Sequence, residues 1–109
     1  MEIKKSGDIR IVIIGERLDA YNAKDADGAI KTLIENGIRK IICDFSQTEY
    51  IASAGLRVLL SATKSLQKLT GQLIICSLRP YVKEVFDTVG FTQLFKLYDS
   101  TEEAVGHLS

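Results

Sequence analysis

Two short segments of the chain constrain its fold more than any others. Ile38 to Phe45 contains Ile41, Ile42 and Cys43 in a row, and Leu73 to Cys76 is unbroken by any polar residue. Each reads as a strand buried on both faces, the mark of a largely parallel sheet covered by helices above and below. The intervening segments have a different period. Ala26, Ala29, Ile30, Leu33 and Ile34 follow helical spacing from Ala23 until Asn36-Gly37, a pair suited to ending a helix with positive φ. Leu56, Leu59, Leu60, Thr63, Leu66 and Leu69 form a second stripe, starting near Ser53 and closed by Gly71. Pro80 suits the first turn of a third helix carrying Val82, Val85, Phe86 and Val89 up to Gly90.

At the N-terminus, Ile3 and then Ile9, Ile11 and Ile13 mark two β-rich runs. They are separated by Lys5-Ser6-Gly7-Asp8, a cluster suited to a hairpin turn. Phe91 to Tyr98 gives a turn and a short strand. Asp99-Ser100, followed by Thr101, Glu102 and Glu103, reads as the capped start of a terminal helix. The expected fold class is α/β, a single domain over residues 1–109 with the order β-β-α-β-α-β-α-β-α. Its sheet is mixed but mostly parallel and is opened by an N-terminal hairpin.

The 109 residues are enough for one domain with one core, and a composition 46% hydrophobic and 26% charged is that of a chain that folds unaided. Fourteen Lys and Arg balance fourteen Asp and Glu. This leaves no basic field to hold a polyanion, so direct nucleic-acid binding is not expected. The apolar runs fall far short of the ~20 residues that cross a bilayer. Met1 to Lys5 lead straight into an alternating pattern rather than a secretory signal, and the expected location is cytoplasmic. Cys43 and Cys76 lie inside apolar runs without Cys-x-x-Cys spacing, and are expected to be buried free thiols rather than a disulfide or a metal site.

Motifs of the common enzyme classes are missing. There is no Gly-x-Gly-x-x-Gly, no phosphate loop and no His-Glu-x-x-His, so no cofactor or metal is expected. The single histidine, His107, reads as a surface residue, and Asp19, Asp25, Asp27, Asp44 and Glu49 as solvated charges and helix caps. What stands out is Tyr50-Ile51-Ala52-Ser53-Ala54-Gly55-Leu56, which leads into the strongest helical stripe. Ser53 is expected to be the N-cap of that helix. Gly55 in its first turn costs about 1 kcal/mol relative to Ala. Something must therefore approach the backbone closely there, either another part of the fold or a partner.

These residues resemble a known family. Ile42-Cys43-Asp44-Phe45-Ser46 and Tyr50 to Leu60 are similar to the signature of STAS domains, the bacterial anti-sigma factor antagonists. Gly15-Glu16-Arg17-Leu18-Asp19 resembles the Gly-Glu-Leu-Asp segment of that family, with Arg17 as an extra residue. Leu73 to Pro80, Val85-Phe86 and Gly90-Phe91 resemble its fourth strand and third helix. The family signature is commonly Asp-Ser-Ser-Gly-Leu or Asp-Ser-Thr-Gly-Leu, and the serine after the aspartate is the phosphoacceptor. Residue by residue, that serine is Ser53. Ala52 stands where the aspartate usually is, and Ala54 where the second hydroxyl residue is.

The resemblance implies a binding module with no activity of its own. Unphosphorylated, such a protein binds an anti-sigma factor, often itself a serine kinase of the histidine-kinase-like ATPase fold, and so frees a sigma factor. Phosphorylation switches it off, and a serine phosphatase resets it. Asp19, Asn22, Ala52, Ala54, Gly55 and Arg57 are expected to line the partner or kinase surface. Arg57 lies one turn beyond Ser53, positioned to meet a phosphate or an acidic partner. Two other readings remain at this point: a STAS scaffold subunit of a lipid-transport or stress-sensing complex, in which Ser53 only caps its helix, and a small nucleotide-binding or hydrolysing protein using Asp19 and Asp44.

Overall fold

The two N-terminal β-rich runs form the expected hairpin. Strand β1 (Glu2–Ser6) pairs antiparallel with β2 (Ile9–Ile13), with Ser6 opposite Ile9 across the turn. The computed structural model describes residues 1–109. After the hairpin come β3 (Arg17–Leu18), α1 (Ala23–Glu35), β4 (Lys40–Asp44), β5 (Tyr50–Ile51) and α2 (Ser53–Lys68). The chain then continues with β6 (Gln72–Cys76), α3 (Pro80–Thr88), a 3-10 turn at Phe91–Gln93, β7 (Leu97–Tyr98) and α4 (Thr101–Leu108). The main sheet has the order β1-β2-β4-β6-β7, and every pairing after the hairpin is parallel.

Period-two alternation divides the two cores. Val12, Ile14, Ile41, Cys43, Phe45, Leu73 and Ile75 face the larger core, which Ala26 and Ile30 of α1, Leu59 and Leu66 of α2 and Val82 and Phe86 of α3 complete. Their neighbours Ile11, Ile13, Ile42, Ile74 and Cys76 face the opposite side, covered by Ala104 and Leu108 of α4. Phe86 anchors the larger core by meeting Phe45 and Phe91 edge-on at 5.9 and 5.8 Å. Each such pair adds roughly 0.5–1.5 kcal/mol beyond its buried area. Cys43 and Cys76 are both free and buried, and burial pushes the Cys43 thiol up to about 12. Because Cys76 pairs in register with Asp44 rather than Cys43, the two thiols project from opposite faces of the sheet.

Local chemistry sets the end of α1 and the start of α4 as expected. Gly37 takes φ of +92° after α1, and Ser100 caps α4 by accepting the amide of Glu103 at 3.1 Å. At the end of α2, however, Thr70 rather than Gly71 adopts the left-handed conformation, with φ of +57°. Gly71 serves a different need. A Cβ there would lie 2.7 Å from the carbonyl oxygen of Arg39, so its bare backbone lets the α2–β6 connection pass against the start of β4.

Candidate functional site

The segment between Ile14 and Ser53 is organised by a second, two-stranded sheet that the apolar pattern did not reveal. Strands β3 and β5 pair in parallel, Arg17 opposite Tyr50 and Leu18 opposite Ile51. The ladder is extended by the amide of Glu49 donating to the Glu16 carbonyl at 2.8 Å and that of Ala52 to the Leu18 carbonyl at 2.9 Å. Thr48, wholly buried, fastens this ladder to the main sheet through its hydroxyl, which donates to the Gly15 carbonyl at 2.8 Å. From the other side, Arg79 donates to the Ser46 carbonyl at 2.9 Å and pairs with Glu49 at 3.2 Å, bracing the β4–β5 loop.

Asp19 and Asn22 fold the loop before α1. The Asn22 side chain accepts the Asp19 amide at 2.8 Å and donates to the Arg17 carbonyl at 2.7 Å, while Asp19 accepts the Tyr21 amide at 3.0 Å. Asp19 also accepts Arg17 Nε at 3.0 Å. That guanidinium holds the carboxyl below the usual carboxylate range, helped by the Tyr21 amide and opposed by burial. Arg17 lies over the Tyr50 ring at 4.4 Å, so the residue that is extra to the family pattern ties β3 to the strand leading into α2. The turn leaves Tyr21 96% exposed. Asp19 is therefore a buried, hydrogen-bonded loop organiser rather than a solvated charge. Asp44 is likewise buried, accepting the Ser46 amide at 2.9 Å and facing the Thr101 hydroxyl at 3.4 Å.

Ser53 is not the N-cap. Ala52 holds that position, with extended backbone at φ −108° and ψ 172°, and no side chain caps the helix. Because the Ala52 amide is committed to Leu18, β5 pairing fixes the helix start one residue earlier than cap chemistry suggests. Ser53 is the first helical residue, exposed, and the amides of Ser53 and Ala54 donate to no protein acceptor. Like α3 and unlike α1 and α4, α2 has no acidic residue in its first turn. The positive end of its dipole is thus open and uncompensated. A Cβ on Gly55 would lie 2.7 Å from Leu18 Cγ and 2.8 Å from the Leu18 carbonyl oxygen. The close approach inferred at this glycine is therefore made by the fold itself, and Gly55 is buried.

Of the remaining expected surface residues, Ala54 and Arg57 line an open groove between α1 and α2 of about 340 Å³, together with Ala23, Lys24, Asp27, Val58 and Ser61. Asn22 is half-buried at the N-terminal boundary of α1. Arg57 is exposed and forms no ion pair. His107 is exposed near the C-terminus, its ring tilted against that of Tyr98 at 5.0 Å. No three His, Cys, Asp or Glu side chains converge where they could hold a metal ion, and no helix is long and apolar enough to cross a membrane.

This geometry defines an α/β module in which Ser53 stands exposed at the uncapped start of α2. The STAS domain model matches residues 1–104, and the chain belongs to the STAS domain family. A curated relative from Bordetella bronchiseptica, named "Putative anti-sigma factor antagonist BtrV", is 36% identical over 87 residues, which is 80% of this chain and 75% of that protein. The crystal structure of a Thermotoga maritima protein named "putative anti-sigma factor antagonist" superposes with a TM-score of 0.91 at 24% identity, covering 97% of this chain and 92% of that one. The phosphorylated form of SpoIIAA, described as a Bacillus cell fate determinant, superposes at 0.80 with 20% identity, covering 99% and 98%.

Proposed function

We propose that this chain is an anti-sigma factor antagonist that binds its anti-sigma factor when Ser53 is free and releases it when Ser53 carries a phosphate. The observation that carries this reading is the position of Ser53. It is an exposed hydroxyl at the open start of α2, where the family signature has its phosphoacceptor. The Bordetella relative, an antagonist by name, supports the same class of partner.

On this account Ala52, Ala54 and Arg57 contact the partner directly. Asp19 and Asn22 shape the neighbouring loop, and Gly55 lets α2 seat against Leu18. The partner is a serine kinase of the histidine-kinase-like ATPase fold, a serine phosphatase resets the switch, and the protein works in the cytoplasm without catalytic activity or cofactor. The open dipole lets the fold tolerate the modification, because a phosphate at a helix N-terminus is favourably placed. The phosphate acts on the interface: about two negative charges would have to be desolvated against the partner.

Incubation with ATP and each histidine-kinase-like serine kinase of the source organism, followed by mass spectrometry, tests this. Phosphate is expected on Ser53 and not on Ser61 or Ser65. Absence of phosphate from Ser53 overturns the switch and leaves the scaffold reading.

A further inference from the structure

Helix α2 carries Arg57, Lys64 and Lys68 over 16 residues and contains no Asp or Glu. In a chain whose formal net charge is zero, this is a local excess. The four ion pairs of the structure engage Arg17, Lys31, Lys40 and Arg79, so all three α2 cations are unpaired. At roughly 100° per residue, positions 53, 57, 64 and 68 fall on one face, and the strip from Ser53 to Lys68 is about 22 Å long. The dipole explains Lys68 in the last turn. It does not explain Arg57 near the positive end, nor the like-charged Lys64–Lys68 pair at i, i+4, which disfavours the helix. Arg57, Leu60, Ser61, Lys64, Ser65 and Lys68 line a shallow groove of about 460 Å³.

We propose that this face of α2 is a docking strip for an acidic segment of the same protein partner that reads Ser53. The inference rests on the Ser53 reading and adds to it a partner chemistry. The strip is contiguous with Ser53, since Arg57 lines both this groove and the one between α1 and α2. Its only apolar member is Leu60, and a surface that inserts into lipid needs a wide apolar or aromatic face beside its cations. An acidic polypeptide laid along the helix meets all three cations at once.

The test measures affinity for the serine kinase that phosphorylates Ser53 by calorimetry, at about 50 mM and about 300 mM salt. It compares wild type, Lys64→Glu/Lys68→Glu, the neutral Lys64→Gln/Lys68→Gln and Ser53→Asp, with circular dichroism confirming that each is folded. Both lysine variants should bind more weakly at low salt, the charge reversal by about tenfold or more, and the difference should shrink at high salt. Wild-type affinity in both lysine variants, with Ser53→Asp still weakened, overturns the strip and leaves the Ser53 switch standing. No effect of any variant, or no binding by wild type, overturns both. Unchanged kinase affinity with lysine-dependent sedimentation on vesicles about one-third phosphatidylserine overturns it in favour of a membrane surface.

Discussion

Gly55 presents its bare backbone to Leu18 so closely that an added methyl would lie 2.7 Å from Leu18 Cγ and 2.8 Å from its carbonyl oxygen. Intrinsic propensity and packing therefore oppose each other at one residue. Helix propensity alone would make Gly55→Ala stabilising by about 1 kcal/mol, whereas overpacking against backbone costs roughly 1–3 kcal/mol. Packing wins, because the carbonyl is held by the Ala52 amide at 2.9 Å and cannot retreat cheaply. Urea unfolding of Gly55→Ala should show a lower midpoint with an unchanged slope.

The end of the same helix gives the opposite sign. Thr70 is β-branched and held at φ +57°, a conformation that costs an L-residue about 1–2 kcal/mol. Thr70→Gly should relieve most of that strain, offset in part by the freer unfolded chain, and raise the unfolding midpoint. Gly71→Ala, one residue on, should lower it, since its Cβ would meet the Arg39 carbonyl oxygen at 2.7 Å. Parallel melts of the two variants check the pair of signs.

Much of the fold was legible because its elements are long enough to show a period. Ile41-Ile42-Cys43 and Leu73 to Cys76 are the central strands, and the stripes from Ala26 and Leu56 are α1 and α2. Strands β3 and β5 were not, since two residues carry no period and the buried Thr48 beside them bonds to Gly15, far away in sequence, a link that no local pattern records. The same ladder explains the one-residue error at Ser53: the serine looks like a cap, but Ala52 is fixed by its bond to Leu18 and takes the position first. Ser53 and Arg57 lie exposed on the first turns of α2, where the helical stripe placed them, whereas no local pattern marks Arg17, which reaches Asp19 and Tyr50 together.

Thr48 should therefore matter beyond its size. Thr48→Val keeps its volume but removes the hydroxyl that donates to the Gly15 carbonyl at 2.8 Å and to the buried Ile14 carbonyl at 3.3 Å, and leaving a buried acceptor unsatisfied costs about 1–3 kcal/mol. Lower stability with faster amide exchange at Glu49 and Ala52, the amides of the ladder it anchors, is the expected result in hydrogen-exchange measurements.

Asp19 predicts a pH dependence. Its carboxyl is held below its ordinary value chiefly by the Arg17 hydrogen bond, so its contribution is present above the unfolded value, about 3.9, and is lost as pH falls through the lower folded value. Arg17→Gln should be less stable than wild type at neutral pH, and the gap should close on acidification below about pH 4. Carboxyl NMR titration of Asp19 should move upward in the variant.

The central claim is that a phosphate on Ser53 switches partner binding. Burying it against the partner without a full countercharge should cost roughly 3–5 kcal/mol, and at ~1.4 kcal/mol per factor of ten binding should weaken about a hundredfold or more. The direct measurement is the Kd of the partner kinase for the unphosphorylated chain and for the chain stoichiometrically phosphorylated on Ser53. The account predicts that gap. Equal affinities for the two forms would contradict it.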